Sequence, residues 1–150
     1  MSNFSAADAA ALFSSIRSMA KALGVFSATI GHDPDNAPPS GVSCSIALGG
    51  VKPVTESGLA AVSGQVTLTV HVWAFADSRP LDDVDPRVLA AGCALMGALA
   101  GGFTLGGTVR NVDLFAMSAK PGYVKFENKE FRTMAIDVPI IIDDMFAEVP

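Results

Sequence analysis

The chain has 150 residues, the size of one domain and long enough to bury a core without disulfide or metal staples. Half of its residues are hydrophobic and only 17% are charged, with a mean hydropathy of +0.42, which is oily for a domain that meets water on every side. Ten basic residues against fifteen acidic ones give a net charge of -5, and the nearest thing to a basic cluster (Lys120, Lys125, Lys129, Arg132) is interrupted by Glu127 and Glu130, which argues against nucleic-acid recognition by charge.

The first predicted element is a helix over 5–23. Ser5 followed by Asp8 forms a capping box with Asp in the Glu role, Leu12, Ile16, Met19 and Leu23 make one apolar stripe, and Gly24 ends it. A short strand over 25–30 follows, then a loop over 31–41 dense in Gly, Pro, Asp and Asn. Residues 42–48 alternate Val42, Cys44, Ile46 and Leu48 against Ser43, Ser45 and Ala47, as a strand does. The stretch 49–64 is irregular and long for a hairpin connection, and we read it as a projecting hairpin, loop or arm of a single domain that spans 1–150. Residues 65–76 form the clearest central strand, with Val66, Leu68, Val70, Val72 and Ala74 on one face. The other face carries His71, Trp73 and Phe75, so both faces need cover.

An acidic loop over 77–85 leads to a second helix, with Asp85 as N-cap and Pro86 at its first position. Val88, Gly92, Leu95, Met96, Leu99 and Phe103 fall on one face of it. No apolar run reaches the roughly 20 residues that span a bilayer, because the richest one, over 88–103, is loaded with Gly and Ala. A strand over 108–117 and a hairpin of 123–127 with 131–143, turning at Asn128-Lys129, complete the order. Together these elements predict an α+β fold, a mainly antiparallel sheet with two helices packed on one face. Met1-Ser2-Asn3-Phe4 has no basic region before an apolar core, so no signal peptide is expected. Cys44 and Cys93 read as free thiols in apolar surroundings.

Candidate chemistry is thin. His32-Asp33-Pro34-Asp35 offers imidazole and carboxylates, but no second ligand group lies near it in sequence, and Asp82, Asp83 and Asp85 are better explained as a solvated, helix-capping loop. The glycines Gly101, Gly102, Gly106 and Gly107 follow a helix, whereas a phosphate loop leads into one. His71 has no nucleophile motif beside it. We therefore expect no enzyme, no cofactor and no metal site.

The most informative stretch is the last strand. Met134, Ile136, Val138, Ile140 and Ile142 define one apolar face, while Thr133, Ala135, Asp137, Pro139 and Ile141 make up the other. Pro139 cannot donate a ladder hydrogen bond, which points to an edge or to a place where pairing changes partner. Ile141 puts a branched apolar side chain on the more polar face, as a strand that pairs with another chain would.

The central strand around Val66 to Ala74, the Ala-rich helix from Pro86 and the hairpin ending in Phe131-Arg132-Thr133-Met134-Ala135-Ile136-Asp137-Val138-Pro139-Ile140-Ile141-Ile142 resemble, in the order and length of their elements over most of the chain, the tail terminator (tail-to-head joining) proteins of long-tailed bacteriophages. The resemblance implies a virion subunit that forms a hexameric ring at the head-proximal end of the tail. Such a ring caps the tail tube, stops its polymerisation and docks to the head-neck connector proteins. Its partners are then copies of itself, the tail tube protein and the neck, with no membrane, and DNA passes through the lumen without specific binding. The residues expected at subunit interfaces are Phe131, Thr133, Asp137, Pro139 and Ile141 on the last strand, with Val51, Val54 and Leu59 on the arm. The alternatives are another head-tail connector or a tail tube subunit, and a small-ligand binding domain with a polar pocket around His71 or Asp113.

Overall fold

The computed structural model describes residues 4–32, 34, 41–54, 61–77, 81–102, 105, 109 and 111–147. Elements follow one another as α1 (Ala6–Ala22), β1 (Ala28–Ile30), β2 (Val42–Pro53), β3 (Ala61–Phe75), a 3-10 turn (Leu81–Asp83), α2 (Val84–Gly101), β4 (Asn111–Val112), β5 (Ser118–Phe126) and β6 (Lys129–Ala147). This is the expected α+β architecture, a mixed and mostly antiparallel curled sheet with two helices. Strand order is β1-β2-β3-β6-β4, with β5 also paired to β6, and only the β1–β2 pair is parallel.

The capping box forms as predicted. Ser5 Oγ accepts from the Asp8 amide, while the Asp8 carboxylate accepts from the Ser5 amide at 2.9 Å and from the Ser5 hydroxyl at 3.0 Å, and these two bonds to the carboxylate hold it below its ordinary pKa. Gly24 takes a φ of +70°, the left-handed conformation that lets the chain leave α1. Leu12, Ile16 and Ala20 of α1 and Val88, Leu95 and Leu99 of α2 join Ile46, Leu68, Val70, Ile136, Val138 and Ile140 in one core. Gly92 lets α2 come close to the sheet, because a Cβ there would collide with the Met134 side chain.

Four expectations need correction. The helix over 5–23 is sound, but α2 begins at Val84 with Asp83 at the N-cap, so Pro86 sits two residues further in. It is tolerated there because the first-turn amides have no intrahelical acceptor. Among the described residues of the strand expected over 108–117 only Asn111–Val112 is strand, and Ala116 then donates to the Asp113 carbonyl in a turn. The strands on either side of the stretch read as irregular are longer than expected: β2 runs on to Pro53 and β3 starts at Ala61, and the two pair from Gly50↔Thr67 to Pro53↔Gly64 across a bulge at Gly49. By length and mean hydropathy the segment Leu81–Gly101 would reach across a bilayer, contrary to the run count made from sequence, although six α2 residues are buried against the core. Phe103 lies outside the described residues.

Candidate functional site

β6 is a central strand and not an open edge. β3 pairs with it from Phe131 to Ala147 on one side, while β5 (Ser118↔Asp137 to Phe126↔Lys129) and β4 (Val112↔Ile140, Asn111↔Ile141) share the other. Pro139 sits where that second side passes from β5 to β4. Its carbonyl accepts the Asp113 amide at 2.8 Å, and in an antiparallel strand a residue's N and O point the same way. The missing N–H therefore faces the gap between β5 and β4, and the β3 ladder loses nothing. Of the two readings of Pro139 offered by the sequence, the change of partner is the observed one.

The expected interface on β6 is consequently corrected. Phe131, Thr133 and Pro139 are buried, and Ile141 is 8% exposed. Phe131 packs edge-on against Trp73, with ring centroids 6.0 Å apart, and meets Phe75 at 5.9 Å. These residues make a small second core on the face turned away from the helices, separate from the main cluster. Asp137 is half-buried and accepts from Thr69 Oγ1 at 3.0 Å. Of the arm residues, Val51 is exposed and Val54 half-buried, while Leu59 lies outside the described residues.

The same face gathers Ser45, His71 and Asp137, but they do not act as a triad. Ser45 Oγ is taken by the Trp73 indole, Asp137 by Thr69, and His71 Nδ1 is buried without a hydrogen-bond partner. Among the described residues no three His, Cys, Asp or Glu side chains lie close enough together to hold a metal ion. Asp33 and Asp35 are outside those residues, and Asp82, Asp83 and Asp85 are exposed.

Two features that sequence reasoning missed are more telling. The first is the outer face of α2. After Arg87 the helix carries no charged residue, and its exposed positions are Leu89, Ala90, Cys93, Gly97, Ala100 and Gly101. A helix that faces water is normally polar on its outer side. Beside it, α2 and the helix-side face of β5 and β6 bound an apolar groove of about 380 Å3 lined by Leu89, Cys93, Met96, Ala119, Pro121 and Met134. Arg132 closes one end. Its Nε donates to Asp85 Oδ1 at 2.9 Å, another guanidinium nitrogen donates to the Gly122 carbonyl at 3.3 Å, and the group lies 4.4 Å from the Tyr123 ring centroid. Neither His71 nor Asp113 lines this groove. The charge-free run after Arg87 was the available signal for it.

The second feature is the outer edge of β2. β1 pairs only with Ser43, Cys44 and Ser45, so among the described residues 46–53 has no strand beside it on that side. Leu48 (62% exposed) and Val51 (50% exposed) both face the helix side there, because their partners Leu68 and Val66 do and the Gly49 bulge restores the alternation. Strand order places this edge on one flank of the sheet and the groove towards the other, with β3 between. No protein-family model matches the chain, and neither does any curated protein.

Proposed function

We propose that this chain is a structural subunit that assembles with copies of itself into a closed ring, of the kind that caps the tail tube of a long-tailed bacteriophage, ends its polymerisation and joins tail to head. The observation that carries the reading is the pair of unlike apolar exposures on opposite flanks of one sheet. A two-fold dimer needs one self-complementary patch, whereas a head-to-tail contact needs two different ones, and a head-to-tail contact closes into a ring when the rotation per subunit allows. The tail-terminator resemblance supplies the hexameric stoichiometry and the tail location. A net charge of -5 suits a lumen through which DNA slides without sticking.

Negative-stain electron microscopy and native mass spectrometry of the purified chain test this, alone and with tail tube protein. Discrete rings of one copy number that seat on tube ends are expected. Tubes of indefinite length would instead identify a tube subunit. Monodisperse monomers at high concentration that ignore tube ends would sink the assembly reading.

A further inference from the structure

Among the described residues the groove beside α2 and the β2 edge are each uncovered, and their positions complement one another. We propose that the groove between α2 and β5 receives the Leu48 and Val51 ridge of β2 from a second copy of this chain. The inference rests on the ring reading and names the contact that would build it.

Three observations carry it. The two surfaces lie on opposite flanks, so each subunit can offer its ridge to one neighbour and its groove to the other. The contact offers one charge pairing: Lys52 is the single charge in 46–54 and is exposed on the β2 edge, while Asp82 and Asp83 are exposed just ahead of α2, beside the groove end that the Asp85–Arg132 pair closes. The contact is also made by side chains and not by joining the two sheets. Lys52, Pro53 and the Gly49 bulge blunt the β2 edge, and Pro121 with Lys120 and Lys125 blunts the free edge of β5, so ladder extension is disfavoured on both. The small outer residues Ala90, Cys93 and Gly97 of α2 leave room for a backbone to approach. Phe115, a fully exposed aromatic on the turn between β4 and β5, is the competing plug, but it lies on the same flank as the groove. Seating it there would join two copies through the same flank and leave the β2 ridge uncovered.

Cys93 makes the contact directly testable, because it is exposed in the groove whereas Cys44 is buried. In the Val51→Cys variant, mild oxidation with diamide should link the introduced thiol to Cys93 of the neighbour. The expected result is a ladder of multimers on non-reducing gels up to the copy number found by native mass spectrometry, abolished when Cys93→Ser is added. In parallel, Lys52→Glu should weaken ring formation by about threefold, with Asp82→Lys restoring it. Wild-type rings without the ladder would overturn this contact while leaving the ring intact. So would a product that stops at dimers and survives Cys93→Ser, or rings lost on Phe115→Ser but kept on Val51→Asp. A wild-type chain that stays monomeric removes both readings.

Discussion

The indole N–H of Trp73 donates to the hydroxyl of Ser45 at 2.9 Å, diagonally across the β2–β3 pair, on the face turned away from the helices. Both residues are buried, so the indole has no water to fall back on. Ser45→Ala should cost about 1–3 kcal/mol, the penalty of a buried donor left without an acceptor. Ser43 is equally buried but its hydroxyl has no partner, so Ser43→Ala should be neutral or mildly stabilising. Urea unfolding of the two variants side by side gives the comparison; equal losses would show that burial of the serine, and not the hydrogen bond, sets the cost.

Ile141→Asp should destabilise the subunit itself. Ile141 is paired to Gln65 on one side and Asn111 on the other, and it is buried, so a carboxylate there would be taken out of water. The cost should be about 3 kcal/mol or more, seen as a lowered thermal midpoint at concentrations where the wild type is dissociated. A variant with an unchanged midpoint and lost assembly would return Ile141 to an interface role.

Gly49 and Gly50 are adjacent and should respond oppositely to alanine. A Cβ at Gly49 would come within 2.6 Å of Thr69 Oγ1, which is held in place by its bond to Asp137, and within 3.0 Å of the Thr67 carbonyl. Gly50 faces open space. Gly49→Ala is expected to lose about 1–3 kcal/mol, and Gly50→Ala to change stability little. Chemical denaturation of both variants measures the contrast.

The two thiols should separate cleanly by reactivity and by pH. Burial pushes the Cys44 thiol from 9.0 up to about 12, while Cys93 is exposed. One equivalent of thiol should react with a disulfide reagent in the native protein, and the second only after unfolding. Because the folded pKa is the higher one, the Cys44 contribution is intact below pH 9 and is lost as the pH rises towards about 12, where only the unfolded chain ionises. Cys44→Ala should flatten that alkaline loss relative to wild type in pH-dependent melts.

Local signals carried much of the fold. The Ser5–Asp8 capping box, Gly24 and the alternation through Val66, Leu68, Val70 and Val72 each act over a few residues, so the sequence shows them directly. The β5–β6 hairpin was also visible, although its turn falls one residue earlier than read, with positive φ at Glu127 and Asn128. What could not be read is which strand lies beside which. Pro139 and Ile141 looked like marks of an edge because a single strand's pattern does not say how many neighbours it has. The same blindness hid the groove, which exists only because α2 stops short of covering β5. The β4 region misled for another reason: alternation over Val109, Asn111, Asp113 and Phe115 has no consistent apolar face, and the chain turns away after Val112.

The central place of β6 has a consequence for how the molecule is made. β4 and β5 find their ladder partner only in β6 among the described residues, and β3 relies on it for its whole second side. All three leave the ribosome before it does. The nascent chain can close the β2–β3 hairpin and α1 early, but the rest of the sheet must wait, with its long-range pairings formed in one late step. Until then the floor of the groove does not exist. If the groove receives a second copy as proposed, that recruitment is deferred until each subunit is complete, a timing control that comes from strand order alone.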